Sequence, residues 1–120
     1  FNGQWSKVSL PGGNWPVTVL ADDGADGLFC GGPKGLLRVS TNLTHITFVS
    51  GIEGEVSAVT ARDGKLYVGT EQGLYVGRAN AKRATVSFAQ WLGEVPVTAL
   101  AQNGTHLWVG TTSGLAQRQL

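Results

Sequence analysis

The sequence predicts an all-β chain made of repeated units of four short antiparallel strands. Three observations predict it. A phrase of strand, tight turn, strand, Gly-containing turn and strand occurs three times, over residues 17–36, 56–74 and 97–115. Within each phrase apolar and polar residues alternate over short runs, the period of two that a half-buried strand requires. The chain carries 18 glycines, and most fall at the breaks between those runs, where tight turns need them. Hydrophobic residues make up 42% of the 120 positions, enough for one packed domain.

The elements follow in order. Residues 1–10 read as a lone strand, in which Val8 and Leu10 alternate with Lys7 and Ser9, and Trp5 belongs to the same strand. Pro11-Gly12-Gly13-Asn14 is a loop, and Pro16 marks the entry to the next strand. The first unit covers residues 17–50, with strands expected at 17–21, 28–31 and 36–40 and a fourth around Ile46 and Phe48. The second covers residues 56–90. Its strands are expected at 56–61, 66–69, 74–78 and 85–90, the last facing one way with Val86 and Phe88. Asp63-Gly64 sits where a two-residue hairpin turn needs positive φ. The third unit covers residues 97–120, with strands at 97–102, 107–110 and 115–118, an Asn103-Gly104 turn and no outer strand.

The units open at Val17, Val56 and Val97, 39 and 41 residues apart. A period near 40 with four strands per unit is that of a β-propeller blade. The N-terminal pair Val8 and Leu10 aligns with Ile46 and Phe48 and with Val86 and Phe88. The order is therefore an orphan outer strand, two whole blades, and a third blade lacking its outer strand. The N-terminal strand is expected to complete a last blade, since an unpaired edge exposes backbone groups to aggregation. Propellers close with about 4 to 8 blades, so three blades are too few for a ring. The expected solutions are a six-bladed ring of two chains, a nine-bladed ring of three, or a head-to-tail filament. The fourth is that the chain is an excerpt of a longer propeller of the sensor type.

The run Leu107-Trp108-Val109-Gly110-Thr111 followed by Gly114-Leu115 resembles the two-component-regulator propeller repeat. Leu66-Tyr67-Val68-Gly69-Thr70 with Gly73-Leu74-Tyr75 matches it closely, and Leu28-Phe29-Cys30-Gly31 with Gly35-Leu36 matches with substitutions. The resemblance covers the whole chain in three copies. It implies that Phe29, Tyr67 and Trp108 pack between adjacent blades. It also implies that Gly31, Gly69 and Gly110 answer a backbone requirement at the strand end. In that family long arrays of such repeats form periplasmic sensing regions that meet saccharides or partner domains. This chain has three repeats and no kinase sequence, which departs from that pattern.

The chemistry-bearing residues form no catalytic constellation, so no enzyme activity, cofactor or metal is expected. His45 and His106 fall at unrelated repeat positions, and His106 aligns with Lys65 as a solvent-facing turn residue. Asp22, Asp23 and Asp26 lack the alternating spacing and distal Glu of a calcium loop, and read as a solvated turn. Cys30 aligns with Val68 and Val109, so it is read as a small apolar strand residue. The net charge is +1 with basic residues scattered, which predicts no nucleic-acid or membrane-surface partner. No apolar run approaches the ~20 residues of a membrane helix. Phe1 stands where an initiator Met would, and with the acceptor patterns at Asn42 and Asn103 this leans toward a secreted or periplasmic protein.

What remains is a surface. In a propeller the loops entering each blade and the turns between its second and third strands emerge together. Here they carry Trp15, Lys34, Glu53, Glu71, Gln72, Trp91, Thr111 and Thr112. A Trp flanked by hydrogen-bonding side chains can stack on a sugar face. The leading expectation is a non-enzymatic propeller module that assembles with itself through Trp5, Val8 and Leu10. A lectin-like saccharide binder using the loop residues is the alternative.

Overall fold

A computed structural model describes residues 5–23, 26–52, 54–62, 64–78 and 89–120. The described residues contain strands and no helix, arranged as three antiparallel sheets in chain order. The first sheet is β1 (Val19–Asp22), β2 (Gly27–Gly32), β3 (Gly35–Ser40) and β4 (Ile46–Phe48). The second is β5 (Val56–Arg62), β6 (Lys65–Thr70), β7 (Gly73–Arg78) and β8 (Ala89–Gly93). The third is β9 (Val97–Asn103), β10 (His106–Thr111) and β11 (Gly114–Gln119). Within each sheet every strand pairs with its neighbour in sequence.

The repeated phrase sets the same register three times. Gly31 pairs with Leu36, Gly69 with Leu74 and Gly110 with Leu115. The turns between these strands are closed by hydroxyls where the motif carries Thr. Thr70 Oγ1 donates to the Gly73 carbonyl at 3.1 Å and accepts from the Gln72 amide at 3.0 Å. Thr111 does the same with Gly114 and Ser113, at 3.0 and 3.1 Å.

Each sheet lays one face on the next, and β-strand alternation decides which residues go there. Phe29, Leu36 and Val49 meet Val56, Leu66 and Val68 between the first and second sheets. Tyr67, Leu74 and Val76 meet Val97, Leu107 and Val109 between the second and third. These side chains are removed from water almost completely, which stabilises by about 1.5–3 kcal/mol for each large one.

A bulge at the start of β5 and of β9 makes this packing work. Val56 pairs with Thr70 and Ala58 with Gly69, leaving Ser57 as the extra residue. Val97 pairs with Thr111 and Ala99 with Gly110, leaving Thr98 extra. One added residue reverses the alternation, so the leading valine points to the preceding sheet and the alanine to the opposite face. The Ser57 hydroxyl donates to the Gly69 carbonyl at 3.2 Å and also reaches the Val97 carbonyl. In the first unit the Thr18 amide donates to the Gly31 carbonyl at 2.9 Å, although Val19 is the strand partner of Gly31. The three units thus share one local geometry.

Four expectations are corrected. Residues 5–10 carry no strand: residues 5–9 are exposed, while Leu10, with Trp15, packs on the outer-face cluster of Cys30, Leu37 and Val39. A lone strand needs a ladder partner, whereas apolar side chains on the outer face need only cover. The outer strand of the second sheet, Ala89–Gly93, runs past the expected end at 90, and residues 85–88 of that expectation, with Val86 and Phe88, lie outside the described residues. Asn103 belongs to β9 and pairs with His106, so the turn is Gly104-Thr105, with Gly104 at φ +60°. His106 is a half-buried residue of β10 rather than a turn residue.

Candidate functional site

The first and third sheets each have one face turned away from the second, and the two faces differ. Among the described residues no further sheet lies beyond the third. Strand alternation sends Leu107 and Val109 toward the second sheet and Trp108 and Gly110 the other way. Their partners across the ladders, Ala101 and Ala99 on β9 and Gln117 and Leu115 on β11, join them on that outward face. Leu115 is 72% exposed, and all of β11 is exposed. Trp108 is half-buried. Of the aromatic series, Phe29 and Tyr67 are buried between sheets, and Trp108 instead lies on this outward face.

Gly110 sits at the centre of the face. Its counterparts explain its role. A Cβ at Gly31 would come within 2.6 Å of Val56 Cγ1, and a Cβ at Gly69 would strike Val97 Cγ1. Each glycine is therefore a slot filled by the valine that opens the following unit. At Gly110 the nearest atoms to a Cβ are Ala99 Cβ and Thr98 Oγ1, both at 3.3 Å and both from its own sheet. Val17, the valine that opens the first unit, is 38% exposed.

The loop candidates gather at one end of the stack, each turn against the segment entering its own sheet. Lys34 Nζ donates to the Asn14 carbonyl at 2.5 Å, beside half-buried Trp15. Glu71 and Gln72 stand against Gly54, and Gln90 Nε2 donates to the Gln72 carbonyl at 2.7 Å. The Thr112 amide donates to the Pro96 carbonyl at 3.2 Å, while Thr111 closes its own turn. Trp91 fastens the second sheet to the third. Its ring meets Tyr67 edge-on at 5.9 Å, and the Arg118 guanidinium lies over it at 3.8 Å. Such a cation over an aromatic face contributes about 0.5–2 kcal/mol. Glu53 lies outside the described residues.

Trp5 is strongly exposed, and Val8, Leu10 and Trp15 line a cleft of about 210 Å3 inside the N-terminal segment. A second cleft, of about 240 Å3, opens between the second and third sheets at the opposite end of the strands, beside Arg62, Lys65, Tyr67 and Gln102. Of the loop candidates only Trp15 lines either cleft.

Several titratable groups are tied into the fold. The acidic loop of the first unit is partly turned inward: Arg38 bonds Asp23 Oδ2 through Nε at 3.1 Å and Nη2 at 2.6 Å, and Asp26 at 3.1 Å. The sequence reading missed this arginine, which holds the repeat position of Val76 and Gln117. Burial pushes the Cys30 thiol above its ordinary range, and burial raises the Tyr67 phenol against a smaller opposing pull from Arg118. Among the described residues no cluster of three His, Cys, Asp or Glu side chains could hold a metal. Asn42 lies in an exposed turn, its Oδ1 accepting from the Thr44 hydroxyl at 2.7 Å and the Thr44 amide at 3.1 Å. Asn103 lies at the exposed end of β9.

A scan of family models finds none that matches the chain, and a search of curated proteins finds no match either.

Proposed function

We propose that this chain is a non-enzymatic, extracytoplasmic scaffold module of three blades of the two-component-regulator propeller type, and that it assembles head to tail with copies of itself. The observation that carries the reading is the outward face of the third sheet. Trp108, Gly110 and Leu115 hold there the positions of Tyr67, Gly69 and Leu74, which the second sheet buries or packs against the third, yet Leu115 stands 72% exposed. A large uncovered apolar face marks an interaction surface. β11 has an open edge as well, since among the described residues it pairs only with β10. In the assembly residues 1–10 of one copy add as the outer strand of the third sheet of another, and Leu10 gives up its place on its own outer face. The linker 11–16 then enters the first sheet as residues 49–55 enter the second. A rotation that closes gives a ring, and one that does not gives a filament.

Deleting residues 1–10 tests the reading. The full chain is expected to sediment as multiples of 12.6 kDa and the truncated chain as single chains. A truncated chain that assembles as well as the full one would remove strand completion from the account.

A further inference from the structure

We infer that the joint between copies is keyed by one residue pair: Val17 of one copy seats in the slot at Gly110 of another. The inference rests on the self-assembly reading and identifies the contact that would set its register.

The slot and its key each occur three times in the chain. The slots are Gly31, Gly69 and Gly110, each on the second strand of its sheet and each paired with the leucine that opens the third strand. The keys are Val17, Val56 and Val97, each followed by a hydroxyl residue, Thr18, Ser57 or Thr98. Two pairs are already engaged, Val56 in Gly31 and Val97 in Gly69, and both keys are fully buried. One slot and one key are left. The three atoms nearest a Cβ at Gly110 all belong to its own sheet, and Val17 is 38% exposed.

The local geometry aims the spare key correctly. The bulge at Ser57 turns Val56 away from the second sheet's own forward face and onto the preceding sheet. The bulge at Thr98 does so for Val97. The Thr18 amide donates to the Gly31 carbonyl beside the Val19–Gly31 pair, and by analogy with the two bulges the proposed joint puts Val17 on the side a preceding sheet would occupy. A second copy is the occupant that brings such a valine, together with an outer face made of Leu37, Val39 and Ile46. Steric fit at a side-chain-sized slot discriminates sharply, because interiors are packed close to crystal density.

That same outer face is held by Leu10 and Trp15 of its own chain. The joint therefore forms only as the 5–16 segment leaves, which makes assembly an exchange of one cover for another and sets its rate by release of the segment.

Cross-linking tests the pairing directly. Two chains are made in a Cys30→Ala background, one with Val17→Cys and one with Gly110→Cys, and each is oxidised alone and after mixing. The expected result is a disulfide-linked pair from the mixture and none from either chain alone. In parallel, Gly110→Val is compared with the unaltered chain by sedimentation, its folding verified by circular dichroism. Filling the slot is expected to raise the concentration for half-assembly about tenfold or more, as overpacking at a contact does. If the unaltered chain stays single, the self-assembly reading fails. If it assembles, but the mixture gives no cross-link and folded Gly110→Val assembles equally well, that reading stands and the Val17–Gly110 joint is overturned.

Discussion

The second and third sheets begin from almost the same sequence and end in different states. Leu66-Tyr67-Val68-Gly69-Thr70 and Leu107-Trp108-Val109-Gly110-Thr111 form the same strand, in the same register, beside the same bulge. Yet Leu74 is 3% exposed and Leu115 is 72% exposed, and β7 is largely buried while β11 is exposed throughout. The difference lies in the neighbour. The forward face of the second sheet meets Val97, Leu107 and Val109 of the third, and among the described residues no further sheet packs on the forward face of the third. In a stack of repeats each unit supplies half of two interfaces, so its stability comes from the contact with the next unit as much as from itself.

This comparison can be broken by substitutions at matched positions. The largest effect is expected at Arg38, the first sheet's counterpart of Val76 and Gln117. Arg38→Ala removes the buried guanidinium that bonds Asp23 at 2.6 Å and Asp26 at 3.1 Å, and is expected to cost about 3–5 kcal/mol in urea unfolding. Gln117→Ala, on the bare face, is expected to fall within about 0.5 kcal/mol. A loss of similar size at both positions would mean that the outward face of the third sheet is not bare. Next in size is the leucine pair. Leu74→Ala is expected to cost about 2–4 kcal/mol through the cavity it leaves, and Leu115→Ala less than about 0.5 kcal/mol, both measured at concentrations where the chain is single. At assembling concentrations the two values should draw together, because a partner then covers Leu115.

The smallest expected effect is alkaline. Cys30 and Tyr67 both hold their protons more tightly in the fold than in the unfolded chain. Their contribution is intact below the unfolded thiol value of about 8.5. It declines as pH rises through that value and then through the unfolded phenol value of about 10, because the unfolded chain gives up those protons first. Melting temperature should therefore fall above pH 8.5, and Cys30→Val should remove the first part of the fall. An unchanged curve in that variant would assign the decline to other groups.

Much of the fold was legible because the repeat prints it three times. Alternation and glycine placement located the ten described strands from β1 to β7 and from β9 to β11, with ends within two residues of those found. β8 was less legible. The ladder with β7 shifts register between Leu74 and Tyr75, and the strand runs past the expected end at 90 to Gly93. The bulges were visible only indirectly. A valine followed by a hydroxyl opens each unit, and the alternation that follows Val56 and Val97 is out of phase with them, a signal that reads as noise in one copy and as a rule in three. The inward turn of the acidic loop could not be read, since Arg38 is fifteen residues from Asp23 and meets it only across the sheet. The N-terminal segment was read as a strand from its own alternation. In one chain that alternation serves to cover a face, because the free edge of β11 belongs to the sheet at the other end of the stack.

The central claim is that the bare face of the third sheet is an assembly surface, and native mass across a concentration series tests it most directly. One chain weighs 12.6 kDa. The account predicts discrete multiples of that mass or a growing polymer, with the single-chain species confined to high dilution. A folded chain that keeps the mass of one copy up to millimolar concentration would contradict it.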